Sequence, residues 1–284
     1  MLQYAAWNGK IVNENDIVIS PNNRSFRYGD GCFETMKIVN GEILLQQLHF
    51  QRLFSSLDTL RFQKPPSFTA EALSGYIKEI VQLNGHSSLA RVRLTIYRGD
   101  GSLYDFDNSL HYIIQSWAGN SDSNHFNAKG FQLNIFADAK KTADLFSPIK
   151  SNNYLPYIMA AIQAKEQGLD DCIVCNAFNR IAEATIANIF IVTNGIIKTP
   201  LLSEGCVNGV MRKYLVNCFK KEGIPYAESE ISVDELLEAS EVFLTNATYG
   251  IRWVEKVGEN HYKNATSTFL HQKFITPLFN ATTF

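Results

Sequence analysis

No apolar run in the chain approaches the ~20 residues that a membrane-spanning helix needs. The opening residues, MLQYAAWNGK, lack the basic segment and the apolar segment of a secretory signal. Neither Gly-x-Gly-x-x-Gly nor the phosphate-loop pattern that ends in Gly-Lys-Ser/Thr occurs, so the two common nucleotide fingerprints are absent. Charge of one sign is not in excess: 26 Lys and Arg stand against 28 Asp and Glu. The chain therefore has no electrostatic footprint for nucleic acid. There is no internal repeat and no low-complexity tract. These absences lead us to expect a soluble, cytoplasmic protein without nucleic-acid or membrane partners.

Cysteine is sparse and odd in number, with five residues at 32, 172, 175, 206 and 218. Cys172 and Cys175 form a Cys-x-x-Cys, but they lie in an apolar run that reads as a strand. Positions i and i+3 of a strand point to opposite faces. We expect buried, reduced thiols there rather than a metal or redox pair. The Asn-x-Thr triplets at Asn246, Asn264 and Asn280 carry no weight without secretion. Arg98-Gly99-Asp100 reads as a turn.

What the sequence does have is enough apolar material for two cores: 284 residues, 45% hydrophobic and 12% aromatic. Three Asn-Gly pairs, in YAAWNGKIV, MKIVNGEILL and IFIVTNGIIKT, predict two-residue hairpins, because both turn positions need positive φ. A further pair, Asn84-Gly85, follows helical spacing of Leu73, Ile77, Ile80 and Val81, and predicts a helix C-terminus. QQLHFQRLFSSLDTL reads as a helix with Leu45, Leu48, Leu53, Leu57 and Leu60 on one side. ARVRLTIYR and LHYIIQSW read as strands.

Residues 118–130 are polar and rich in Gly, Asn and Ser, and mark a boundary. We expect a small N-terminal α/β domain at 1–118, a linker at 119–130 and a large domain at 131–284. In the second part we expect a strand FQLNIFA, a helix ending near Gly168 and two strands, CIVCNA and NIFIVT. A helix ending at Gly223, a short acidic helix VDELLEA, a strand EVFLT and a C-terminal amphipathic stretch follow. The class is mixed α+β and not a doubly wound parallel fold.

The stretch FSPIKSNNYLPYIMAA sets Lys150 where an extended segment turns into a helix. A desolvated lysine amine forms Schiff bases with carbonyls, including that of pyridoxal 5′-phosphate. Such chemistry needs a phosphate holder, a carboxylate for the ring nitrogen and donors for a substrate carboxylate. His49 and Arg52, three apart on one helix, share a face, and an arginine fork suits phosphate. Asn208 and Gly209 open a helix whose free N–H groups would favour an anion. Glu183 lies in the nearly uncharged stretch RIAEATIANIF. Taken singly, Lys150 reads as a solvated side chain, Glu183 as a surface or capping residue, and His49 with Arg52 as a polar helix face.

Six segments in order, RSFRYGDGCFET, LHFQR, IKSNNYL, RIAEATIANIF, CVNGVMR and EVFLTNATYGIRWV, resemble the class IV aminotransferase family, enzymes of PLP fold type IV. That family holds branched-chain and D-amino-acid aminotransferases and 4-amino-4-deoxychorismate lyases. The resemblance runs from about residue 5 to residue 257. It implies a two-domain fold like that of D-amino-acid aminotransferase, pyridoxal 5′-phosphate as cofactor, an amino-acid-like substrate and a homodimer.

By position, the resemblance makes Lys150 the Schiff-base and catalytic lysine, Arg52 the phosphate arginine and Glu183 the partner of the ring nitrogen. Tyr154 would touch the phenolic oxygen. Asn188, and the helix-start residues Gly209, Val210 and Met211, would line the cofactor site, as would the turn Asn246-Ala247-Thr248. Arg98 is the first choice for the substrate carboxylate, with Arg27, Tyr28, Phe33 and Arg180 as further substrate candidates. Met211 departs from the threonine of many aminotransferases, and TNAT from their hydroxyl-rich turn. GDGCF, CVNGVMR and TNA look closer to the lyases, whereas CFET and NNYL occur in transaminases too. A branched-chain or D-amino-acid aminotransferase, or a non-catalytic homologue that binds the cofactor, are the other readings.

Overall fold

The protein is described here by a computed structural model covering residues 3–280. The chain divides into two compact units. Of the described residues, one contains Gln3–Asp122 together with Ile149–Asn153; the other contains Ser123–Pro148 and Tyr154–Asn280. The five-residue return places Lys150 in the first unit, while the helix that follows it belongs to the second.

The first unit is one six-stranded antiparallel sheet with helices against it. Its strands are β1 (Tyr4–Trp7), β2 (Lys10–Asn13), β3 (Gly31–Val39), β4 (Glu42–Ile43), β5 (Leu89–Arg98) and β6 (Leu110–Ala118), in the order β2-β1-β6-β5-β3-β4. Helix α1 (Arg24–Tyr28) precedes β3, and α2 (Gln46–Thr59) and α3 (Ala70–Leu83) lie between β4 and β5. The alternation of β5 is realised: Val92, Leu94 and Ile96 are fully buried and join the core with Leu53, Leu57, Leu73, Ile77 and Ile80. On α2 the buried face differs from a simple leucine stripe. His49 and Phe50 are buried with Leu53 and Leu57, while Leu45 takes a left-handed conformation as the N-cap. Arg98 of the Arg-Gly-Asp triplet is buried at the end of β5, which removes the triplet as an adhesion signal.

All three Asn-Gly hairpins form, between β1 and β2, β3 and β4, and two strands of the second unit. In each, both turn residues have positive φ: Asn8 and Gly9, Asn40 and Gly41, Asn194 and Gly195. These are the residue types that reach that region at least cost. Asn84-Gly85 ends α3, with Gly85 at φ 70°.

The second unit holds a larger mixed sheet. Its strands are β7 (Phe131–Lys141), β8 (Asp171–Asn176), β9 (Ile181–Ala184), β10 (Asn188–Thr193), β11 (Ile196–Pro200), β12 (Tyr226–Ser229), β13 (Glu241–Asn246), β14 (Gly250–Val257) and β15 (Asn260–His261). The order is β12-β11-β10-β13-β14-β7-β8-β9, with β15 on β14. Helices α4 (Leu155–Glu166), α5 (Val210–Glu222) and α6 (Val233–Leu237) are followed by α7 (Ala265–Leu270), a π-helical turn and α8 (Thr276–Asn280). Three pairings are parallel: β7 with β8, β14 with β7, and β11 with β12. Four strands go beyond the sequence expectation: β9, which is buried throughout and so shows no alternation, the short β12 and β15, and β14, which lies in the stretch expected to be amphipathic.

Cys172 packs with Phe136, Tyr157 and Val174, and Cys175 packs into the other core with Leu133 and Ile173. They do lie on opposite faces of β8, and all five cysteines are free. Among the described residues no cluster suits a metal ion, and no helix is long and apolar enough to cross a membrane.

Candidate active site

The first unit holds Lys150 by its flanks. The Phe33 amide donates to the Lys150 carbonyl at 2.9 Å, and the Asn152 amide donates to the Gly31 carbonyl at 3.0 Å. Ser151 bridges to Cys32, so residues 150–152 run as a short antiparallel addition to the start of β3. The Asn152 side chain donates to Ser25 Oγ at 3.0 Å. Gly31 must be glycine here: a Cβ would stand 2.2 Å from the Ile96 carbonyl oxygen and 2.5 Å from Asn152 Nδ2. Gly29 has φ 67°, and its Cβ would meet Asn153 Oδ1 at 2.3 Å. The Gly-Asp-Gly turn and the Ser-Asn-Asn segment are thus two halves of one joint. The joint fixes the lysine backbone, and Lys150 Nζ then lies 4.5 Å from the centre of the Phe33 ring. Arg93 also lies over that ring, at 3.7 Å.

Behind this joint is a buried charged group. Glu34, on β3, accepts from Arg52 Nε at 2.8 Å on one oxygen and from Arg52 Nη2 at 2.5 Å on the other. His49 Nδ1 lies 2.7 Å from the second oxygen. Burial alone would raise the Glu34 carboxyl; the Arg52 charge and the hydrogen bonds from His49 and Arg52 outweigh it and bring it down to about 2. His49 is fully buried and shifts downward, because desolvation of its cation exceeds the pull of Glu34. His49 is therefore the neutral donor to a carboxylate rather than half of an ion pair. Among the described residues its Nε2 has no hydrogen-bond partner. The shared face of His49 and Arg52 was readable from their spacing. Glu34, which neutralises that face, was not.

Of the substrate candidates in this unit, Arg98 is enclosed by its own fold. Its Nη2 donates to the Leu60 carbonyl at 2.7 Å, Nη1 to Asn108, and Nε lies 3.2 Å from Asp30. Arg27 is exposed in α1 and lies over the half-buried Tyr28 ring at 5.1 Å. Phe33 is buried beneath the two cations already described.

The second unit gathers the other set around Glu183, which sits on β9 paired with Val174 and is nearly fully buried. One oxygen accepts from Tyr157 Oη at 2.6 Å and lies 3.2 Å from Lys141 Nζ. The other accepts from the Val207 amide at 3.0 Å and faces Asn188 Nδ2 at 3.5 Å. Burial first, and then the Glu183 charge, push the Tyr157 phenol far above its ordinary range, so it remains a donor. Lys141 and Tyr157 are neighbours of Glu183 that the sequence reading missed. They come from 42 and 26 residues away, and no local pattern links them to Glu183.

Asn188 also donates to the Val207 carbonyl at 2.8 Å. This leaves Gly209 in contact with it, and a Cβ at 209 would stand 1.7 Å from Asn188 Oδ1. Gly209 is the N-cap of α5 and supplies no side-chain acceptor to the first-turn N–H groups of Val210, Met211 and Arg212. Met211 is buried in that turn. Tyr154 donates to the Thr185 carbonyl at 3.2 Å and packs against Tyr157. Asn246 closes its turn by accepting from the Thr248 and Tyr249 amides, and so orders Asn246-Ala247-Thr248. Arg180 is engaged by Glu204 along one edge of its guanidinium, through Nε at 2.5 Å and Nη2 at 3.0 Å.

The donor sets fit a phosphorylated pyridine aldehyde. In the first unit an arginine suits a phosphate and a lysine whose backbone is pinned suits an aldehyde; in the second a glycine-capped helix start suits an anion and a buried carboxylate suits a ring nitrogen. Comparison with known proteins agrees with this chemistry. The family model for amino-transferase class IV matches residues 31–257. A putative branched-chain-amino-acid aminotransferase of Methanocaldococcus jannaschii is 29% identical over 84% of this chain and 82% of that protein. An aminodeoxychorismate lyase of Vibrio harveyi is 28% identical over 80% and 83%. The solved branched-chain aminotransferase of Thermoproteus uzoniensis superposes with a TM-score of 0.88 at 24% identity, covering 98% of this chain and 95% of that one. The chain belongs to the class IV aminotransferases, enzymes that work with pyridoxal 5′-phosphate.

Proposed function

We propose that this enzyme acts on an amino-acid-like substrate by removing the proton from the carbon that bears the amino group, and that its reaction is that of a 4-amino-4-deoxychorismate lyase. In this reading Lys150 holds the cofactor and serves as the base, Arg52 and the Gly209-Val210-Met211 helix start hold the phosphate, and Glu183 meets the ring nitrogen. Asn188 supports that helix start, and Tyr154 and the Asn246-Ala247-Thr248 turn complete the cofactor's surroundings. When bound, the cofactor withdraws electrons from the substrate carbon and so acidifies its proton. Lys150 Nζ takes that proton. In the lyase reaction the carbon–oxygen bond to the enolpyruvyl group then breaks, the substrate's six-membered ring becomes aromatic as 4-aminobenzoate, and the released enolpyruvate takes up one proton, balancing the one Lys150 removed, to become pyruvate.

The observation that carries the lyase reading is the segment Cys206–Arg212 at the start of α5. It resembles the lyases and places Met211 where many aminotransferases have threonine, so the phosphate would be met by backbone N–H groups without that hydroxyl. The substrate carboxylate falls to Arg27 with Tyr28 in this reading, because Arg98 and Arg180 already serve carboxylates of their own fold.

The test is one preparation and two assays. Aminodeoxychorismate is expected to give pyruvate and 4-aminobenzoate, with kcat/KM exceeding that for L-leucine, L-glutamate or D-alanine with an oxo-acid acceptor. A large excess for one of the amino acids makes the enzyme a transaminase instead. The similarity to the archaeal branched-chain relative is what keeps that outcome in view.

The same reading includes a homodimer. Helix α4 buries Tyr157, Ala160 and Ala164 in its own unit and leaves Leu155, Ile158, Met159 and Ile162 exposed. That i, i+3, i+4, i+7 stripe is a face a second copy would cover. Sedimentation that returns a fully active monomer at assay concentration would overturn the dimer.

A further inference from the structure

Arg52 does not meet the interior through a flexible stem alone. Its Nε and Nη2 are both taken by Glu34, so one edge of the guanidinium is fixed to strand β3 of the first sheet. The strand that supplies Glu34 is paired along its length with β5, and Glu34 stands opposite Leu94. His49, one turn before Arg52 on α2, reaches the Glu34 oxygen that also takes Arg52 Nη2. Helix and sheet are thus joined by one carboxylate serving two donor side chains, with Glu34 and His49 almost wholly enclosed.

A bidentate carboxylate fixes the plane of a guanidinium, which a single contact does not. Tying both partners to rigid elements removes rotamer freedom before a ligand arrives. The same carboxylate opposes an incoming phosphate by its charge, so fixation and repulsion pull in opposite directions. Fixation prevails if the site gains more from an arginine already in place than it loses to the neighbouring anion.

The geometry points to Glu34 as a positioning residue for the phosphate arginine: it clamps one edge of the Arg52 guanidinium so that the phosphate meets a preset fork, and His49 holds the clamp. This rests on the reading of Arg52 as the phosphate ligand. A merely structural pair would affect every ligand of the site equally. A clamp on the phosphate arginine affects only ligands that carry the phosphate.

The experiment uses that difference. The full chain is stripped of cofactor and titrated, by absorbance, with pyridoxal 5′-phosphate and in parallel with pyridoxal. The quantity read is the ratio of the two dissociation constants. Arg52→Met is expected to erase most of the preference for the phosphorylated ligand, which tests the Arg52 reading by itself. Glu34→Gln is expected to cut the preference about tenfold, while pyridoxal affinity stays within about twofold. In the Arg52→Met background Glu34→Gln is expected to cut it no further, the signature of two residues acting through one another. His49→Asn, a milder change, is expected to cut the preference about threefold, and carries the test alone if Glu34→Gln does not fold.

Equal weakening of both ligands, or a preference unchanged or raised in Glu34→Gln or, failing that, in His49→Asn, overturns the clamp. If Arg52→Met has meanwhile erased the preference, the phosphate reading survives that failure. A preference that survives Arg52→Met overturns both.

Discussion

Lys150→Ala is expected to lower turnover by about four powers of ten or more, and to leave the fold intact. The size follows from two losses at one position: the amine that bonds the cofactor and the base that takes the substrate proton. General base catalysis alone contributes typically 10²–10⁴-fold, and removing a covalent participant adds to that. The fold survives because what the first unit takes from residue 150 is mainly backbone. Its carbonyl accepts from Phe33, and its neighbours Ser151 and Asn152 pair with the start of β3. Alanine keeps all of these, and loses the ammonium over the Phe33 ring. Borohydride treatment of the wild-type holoenzyme is expected to fix the cofactor to Lys150 Nζ, read by peptide mapping. Label on Lys141 would move the reactive amine to β7. That comparison is a demanding one, because Lys141 is the other enclosed lysine of the candidate set, 3.2 Å from Glu183.

The position of Lys150 was legible because it is written in contiguous residues. Pro148, the lysine, Ser151-Asn152-Asn153 and the start of α4 are local, and local patterns survive in one dimension. The three Asn-Gly hairpins were legible for the same reason: positive φ at two adjacent residues is a demand on residue type alone. The opposite faces of Cys172 and Cys175 followed from the period of a strand.

What stayed hidden is non-local. Glu34 reads as one polar residue in a buried strand until the fold brings α2 across it, 15 and 18 residues away along the chain. Lys141 and Tyr157 reach Glu183 only after β7, α4 and β9 have assembled. Strand β9 escaped because all four of its residues are buried, which erases the alternation that announces a half-exposed strand. The arginines illustrate the same point from the other side. Arg98 and Arg180 looked available in sequence, and the fold spends each on its own carboxylates.

Glu183→Gln is expected to lower kcat by about three powers of ten, equivalent to ~4 kcal/mol of transition-state stabilisation. A carboxylate beside the ring nitrogen favours its protonated form, and an amide of the same shape does so much less. The structure adds a second, separable effect. Both Glu183 oxygens accept: one from Tyr157 with Lys141 beside it, the other from the Val207 amide. Glutamine offers one acceptor, so its amide group must face donors on one side. That mismatch is worth about 1–3 kcal/mol of stability, or a drop of roughly 2–10 °C in melting temperature for a unit of this size. Lys141 also loses its carboxylate partner at a site where its side chain is only 12% exposed. The two effects are told apart by measuring both on one variant. A melting temperature lowered by a few degrees with kcat lowered a thousandfold places Glu183 in the chemistry. The same melting change with kcat within about tenfold of wild type would make the Lys141–Tyr157–Glu183 group a structural network and remove Glu183 from the active site.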